Sequence, residues 1–293
     1  MIDPELAKQG FFWNDVPSDN ADHTERTQHG SIVRVAAAFF DEMDRRAEKV
    51  NLLLKLDGPI SRDEWNSARG KQPCIVDRWF YEDVGVFIAP GGTGKTTLLL
   101  FQLIHIVLGL DLFGYEVRAP GPVVLLTAED SRETLIARLR YMCHELGLTD
   151  EQVQEVRDSI IITDVSGKGI KLTTVEKDVV MPSKQLDRLI VEVGLLCPSL
   201  VVIDPMVSFG VGESRINDAE QGMIDAARRI RNTVRCAVLY VHHTGKANAR
   251  EETLDQYSGR GGSALADGAR MVHVLQRLTP EKWTERTGDT LGE

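Results

Sequence analysis

The sequence has few of the features that mark the simplest functional classes. Its four cysteines, Cys74, Cys143, Cys197 and Cys236, lie far apart and form no Cys-x-x-Cys pair. That excludes a disulfide scaffold and argues against structural zinc, so reduced, buried thiols are the expectation. No apolar run reaches the roughly 18 residues of a membrane helix, so no membrane contact is expected. The opening Met1-Ile2-Asp3-Pro4-Glu5 has neither the basic start nor the apolar core of a secretory leader, and a cytoplasmic location is the expectation. Basic residues are outnumbered, with 34 Lys and Arg against 44 Asp and Glu and a net charge of −10. Such a chain is no general polyanion binder, although nucleic-acid binding needs only a local basic patch. With 42% hydrophobic and 27% charged residues over 293 positions, the chain is neither wholly disordered nor collagen-like. Its length suits one large core or two domains.

What is present begins with a change of grammar along the chain. Residues 1–30 are polar and without period, and read as mostly loop or disordered. Ser31 then precedes an alanine-rich stretch in which Val35, Phe39 and Met43 recur every four residues, which predicts a helix over about 31–49. Gly58-Pro59 and the polar stretch 61–72 read as a linker or peripheral helix. Residues 1–70 are therefore taken as an N-terminal extension and 71–293 as the main domain. From Val84 onward short apolar runs alternate with helical patterns. The runs are 84–89, 123–127, 160–162, 200–204 and 237–241, with a last one at 271–275. The helices fall at 96–108, 132–146, 186–196 and 218–234, and 167–182 reads as a hairpin or mobile loop. Apolar strands alternating with helices predict an α/β fold around a largely parallel sheet buried on both faces.

The first of these strands runs into Ala89-Pro90-Gly91-Gly92-Thr93-Gly94-Lys95-Thr96-Thr97, which fits the phosphate-loop pattern at every position but the first, where Ala89 replaces Gly. Glycines permit the positive φ that turns backbone N–H groups inward around an anion. The helix that follows points its positive dipole end at the same place. Pro90, Gly91, Gly92, Thr93, Gly94, Lys95, Thr96 and Thr97 are the candidate nucleotide-binding set. Lys95 can reach the β- and γ-phosphates, and the Thr96 hydroxyl can ligate Mg²⁺. ATP and Mg²⁺ are the expected ligands.

Ligands of an open α/β sheet bind beyond the carboxyl ends of its strands. Two acids stand there. Asp204 ends the run Leu200–Ile203 and suits Mg²⁺ held directly or through water. Glu129 follows Thr127-Ala128 and is the candidate for orienting and deprotonating the attacking water, while Asp130 is favoured as the cap of the next helix. His242 and His243 end the strand at 237–241, and either can hydrogen-bond a γ-phosphate. The polar loop that follows carries Lys246 and Arg250, and a glycine-rich segment carries Arg260. These three are candidates for contact with phosphate or single-stranded nucleic acid. Arg270, at the start of the last strand, is read either as structural or as an arginine finger for a neighbour's γ-phosphate.

With these residues in place, the chain resembles the RecA-fold ATPases, and most closely the plasmid RepA-type hexameric replicative helicases. The segments that carry the resemblance are Pro90–Thr96, Thr127-Ala128-Glu129-Asp130, Val202-Ile203-Asp204, Val241-His242-His243 and Arg260–Arg270, in order over about residues 70–276. The resemblance implies a RecA-like P-loop core and a homo-oligomeric ring, usually a hexamer, with ATP between subunits, single-stranded DNA in the channel and replication proteins as further partners. It implies Glu129 as the catalytic carboxylate, Asp204 as the Walker B acid, His242 or His243 as the sensor and Arg270 as the finger. It places Arg260 and the loops 205–217 and 244–258 toward the channel. The family continues past the last strand, whereas this chain stops at Glu293, which reads as a truncated or short variant. A second reading is a RecA-fold ATP-dependent switch or assembly ATPase that binds DNA or a protein partner without unwinding.

Overall fold

Short runs of Val, Ile and Leu are what a strand buried on both faces needs. In the computed structural model these runs build one parallel sheet. The structure describes residues 58–68, 70, 73–211, 216–245, 255–259 and 261–290, all within the unit Lys55–Glu293. The helix expected at 31–49, like Lys246, Arg250 and Arg260, lies outside the described residues.

The strands are β1 Cys74–Val76, β2 Phe80–Tyr81, β3 Val84–Ala89, β4 Val123–Thr127, β5 Ile160–Asp164, β6 Thr173–Glu176, β7 Val179–Pro182, β8 Leu200–Asp204, β9 Ala237–His243 and β10 Met271–Val274. The helices are α1 Arg62–Ser67, α2 Lys95–Leu108, α3 Arg132–Glu145, α4 Asp150–Ser159, α5 Lys184–Gly194, α6 Met206–Phe209, α7 Ile216–Val234, α8 Ala264–Gly268 and α9 Pro280–Thr287. Six strands pair in the order β10-β3-β9-β8-β4-β5, every neighbour parallel. β1 and β2 form a separate ribbon. β6 and β7 form a hairpin whose two turn residues, Lys177 and Asp178, take φ of 47° and 64°, the left-handed pair of a tight two-residue turn.

Side chains alternate along each strand, so the sheet feeds two cores. Phe87, Leu125, Val202, Leu239 and Val241 face α2, α3 and α4, where Leu99, Leu103, Ile106, Leu135 and Val156 meet them. Val86, Ile88, Leu126, Ile203 and Tyr240 face α5, α7 and α8, where Leu186, Ile190, Ile224, Ile230 and Leu265 meet them. The sequence pattern did not reveal α4. Its signal was Thr149 at the N-cap and Gln152 three residues on, which bond reciprocally as a capping box. The start of α3 also differs from the expectation that Asp130 caps it. Ser131, not Asp130, is the cap, its Oγ accepting the N–H of Thr134 at 3.2 Å, while Asp130 pairs with Arg138 at 2.9 Å. The shorter Ser side chain sits one residue closer to the helix and takes the role.

β10 forms one edge of the sheet, and His273 on it stacks on Trp79 with ring centroids 4.4 Å apart. Its Nε2–H donates to the Trp79 carbonyl at 3.2 Å. Burial lowers its pKa to about 4. The unfolded ring titrates near 6.5, so between these values the unfolded chain binds the extra proton. The contribution of the neutral ring is therefore complete above about pH 6.5 and is lost as the pH falls toward 4. Urea unfolding at pH 7 and pH 4.5 should show wild type losing roughly 2–3 kcal/mol more than His273→Phe over that interval. Equal losses in the two proteins would refute it.

Candidate active site

The site forms at the carboxyl ends of four adjacent strands. β3 ends at Ala89, and the chain turns through Gly92 and Gly94, whose φ values are 74° and 84°. Only glycine takes these angles without strain. A Cβ built at Gly91, Gly92 or Gly94 would meet nothing within 4 Å, so the loop frames an open cradle. Thr93 Oγ1 closes its base by donating to the Pro90 carbonyl at 2.8 Å. Gly94 is the N-cap of α2 and offers no side chain to its first turn. The N–H groups at the start of this helix thus stay available for an anion, with the helix dipole behind them. Thr96 and Thr97 lie in that first turn, Thr96 half-buried and Thr97 exposed.

Strand alternation decides which rim residues face this cradle. Ala89 is in register with His243, and Thr127 with Asp204. Asp204 follows Val202, and His243 follows Val241, on the face that packs against α2. Lys95 Nζ accordingly lies 3.5 Å from Asp204 Oδ1, with side chains only 8% and 7% exposed. Burial pushes the Asp204 carboxyl above its usual range. The charge of Glu129 adds to this and Lys95 opposes it.

Glu129 is carried on the turn after β4. Thr127 Oγ1 accepts from the N–H groups of Glu129 and Asp130 at 3.3 and 3.1 Å, and Ala128 N–H donates to the Asp204 carbonyl at 2.8 Å. Glu129 Oε2 then lies 3.7 Å from His243 Nε2, across the end of β8. Lys95, Asp204, Glu129 and His243 are thus brought together. His242, one residue earlier, falls on the other face. It is 6% exposed, and a Cβ at Gly259 would come within 3.0 Å of its ring. The sequence assigns Thr127 no role of its own, because a threonine ending a strand carries no signal until its partners are known.

Arg270 is not brought to this cradle. Its N–H donates to the Val84 carbonyl at 2.8 Å, at the opposite end of β3 from Ala89. Among the described residues no group of three or more His, Cys, Asp or Glu could hold a metal. The Thr96 hydroxyl and the Asp204 carboxylate suit Mg²⁺, which takes few protein ligands and draws the rest from phosphates and water.

A phosphate loop between a buried strand and a helix, an acid ending a neighbouring strand, and an all-parallel sheet define a P-loop ATPase with a RecA-like core. A family model described as an AAA domain matches residues 59–249, and the chain belongs to that family. Among solved structures the chain is similar to one described as an ATPase domain, with 12% identity and a TM-score of 0.50 over 77% of this chain and 82% of that one. That likeness is one of fold. Among the described residues no helix is long and apolar enough to cross a membrane.

Proposed function

We propose that the protein is an ATP-driven motor that works on single-stranded DNA as a homo-oligomeric ring, in the manner of the RepA-type hexameric helicases that its sequence resembles. The observation that carries this reading is the placement of Arg270. It stands at the far end of β10 from its own phosphate loop, which supports reading it as an arginine that serves a neighbouring subunit's site. In support stand the resemblance over Arg260–Arg270 and the AAA domain. The ring, its hexameric number, the replication partners and the cytoplasmic setting belong to the same reading.

In this mechanism the loop 90–97 holds the phosphates of ATP by its N–H groups, and Lys95 leaves Asp204 to meet the β- and γ-oxygens. Mg²⁺, when bound, supplies positive charge against the transferring phosphoryl group, held by Thr96 and Asp204. Glu129 orients water in line with the γ-phosphorus and takes its proton. His243 exchanges its Glu129 contact for the γ-phosphate and so registers its loss. Arg270 of a neighbour neutralises developing charge. Lys246, Arg250 and Arg260 are assigned to the DNA backbone, an interaction that should weaken with salt.

The test is phosphate release by the full chain over a protein concentration series, with and without single-stranded DNA. The expected result is specific activity that rises as subunits associate and rises again with DNA. Activity indifferent to DNA would favour the switch that binds a protein partner. That reading draws on the segment 205–217, which holds a single basic residue, Arg215.

A further inference from the structure

One buried carboxylate has no place in the mechanism above. Glu220, on α7, is 5% exposed. Its Oε1 accepts the N–H of Gly262 at 2.8 Å, and its Oε2 accepts that of Leu265 at 3.2 Å. A carboxylate is buried at high cost unless its oxygens are satisfied, and here backbone donors from a segment some forty residues away satisfy them.

Glu220 is the first of three residues at helical spacing along one face of α7, followed by Ile224 and Arg228. All three hold the segment that leads into Arg270. A Cβ at Gly268 would come within 2.8 Å of Ile224 Cγ1, so glycine there lets the segment lie directly on α7. Arg228 Nη2 donates to the Gly268 carbonyl at 3.2 Å. Gly262 is equally confined, since a Cβ would fall 1.8 Å from Asn217 Oδ1. From the loop side Tyr257 Oη donates to Asp267 Oδ1 at 2.9 Å. The next link is the Arg270 N–H on Val84. The stretch 262–270 is therefore seated on α7 by a charged anchor at its start, a tight approach at Gly268 and the sheet at its end.

We propose that Glu220 is a positioning residue for Arg270, with Ile224 and Arg228 completing the seat, so that α7 sets where one subunit presents its arginine to the next subunit's ATP. This rests on the reading of Arg270 given above. The hydrogen bonds of the Glu220 carboxylate go to Gly262 and Leu265, not to the phosphate loop. Its loss should leave ATP binding intact and impair hydrolysis only at the neighbour's site.

The experiment compares full-length Glu220→Ala, Arg270→Ala and Lys95→Ala, alone and mixed. Glu220→Ala should bind a fluorescent ATP analogue within about twofold of wild type while kcat falls about ten- to a hundredfold, the scale of a displaced catalytic group. Mixing it with Lys95→Ala, whose subunits carry an intact 262–270 segment, should give hydrolysis well above the sum of the two proteins measured alone. Lys95→Ala/Arg270→Ala subunits should give no such rescue. Should Glu220→Ala fail to fold, Gly268→Ala, which presses on Ile224 from the other end of the seat, should show the same loss and the same rescue. Wild-type kcat in a folded seat variant, or a mixture no better than the sum, overturns the proposal. If Arg270→Ala itself hydrolyses ATP at the wild-type rate, the intersubunit reading falls and this inference with it. Loss in Arg270→Ala beside full activity in Glu220→Ala refutes this inference alone.

Discussion

Replacing Lys95 with alanine should lower ATP turnover at least about a hundredfold, the scale on which a single preorganised charge acts in a catalytic site. Two losses combine. Lys95 is the one cation within the loop 90–97, and its ammonium lies 3.5 Å from Asp204 with both side chains nearly buried, so on the proposed mechanism it would act on phosphate oxygens with little competition from water. It is also the main influence that opposes the upward push of burial and Glu129 on Asp204. Without Lys95, Asp204 should take up a proton more readily, which would weaken it in the proposed role of Mg²⁺ ligand. The loss should therefore fall mostly on turnover. Lys95→Arg should not restore it, since a planar guanidinium does not fit the space of a compact ammonium. Steady-state phosphate release checks both variants, and turnover near wild type in Lys95→Ala would remove the loop from the active site.

Much of the site could be read from residues that stand close together in sequence. The phosphate loop is legible because its chemistry is local: three glycines, a lysine and a hydroxyl must follow one strand and open one helix. Asp204 is legible because an acid after four apolar residues can hardly lie anywhere but a strand end. Which of His242 and His243 stands beside Glu129 needed one further fact, which face of β9 packs against α2. Tyr240 and His242 share one face and Val241 and His243 the other, and only the packing of α2 against Val241 shows that the second face is the one next to the helix that follows the phosphate loop. α4 escaped because only Val156 on it is buried, which leaves its apolar period too weak to register. α9 is likewise absent from the sequence reading, although Thr279-Pro280, a cap followed by proline in the first turn, carried a signal for it. Asp130 and Ser131 were ambiguous because both residue types cap helices, and the ion pair with Arg138 that draws Asp130 away spans eight residues. The seat of Glu220 under Gly262 and Leu265 joins residues more than forty positions apart. No pattern in either segment announces it.

The second large effect is expected at Glu129. Glu129→Gln keeps the size of the side chain and its place on the turn held by Thr127, but it cannot accept a proton from water. A positioned general base contributes about 10²–10⁴-fold, so turnover should fall by that factor. The side chain is 56% exposed, and the change should move stability by no more than about 0.5 kcal/mol. Nucleotide binding should persist, because the loop glycines, Lys95 and Thr96 are untouched. The two arms of the account, holding ATP and hydrolysing it, can thus be separated in one protein. The most direct measurement is the nucleotide recovered from Glu129→Gln after incubation with ATP and Mg²⁺ and removal of the free ligand. Bound ATP, intact, is expected, where wild type under the same conditions yields ADP. ADP formed by Glu129→Gln at the wild-type rate would contradict it.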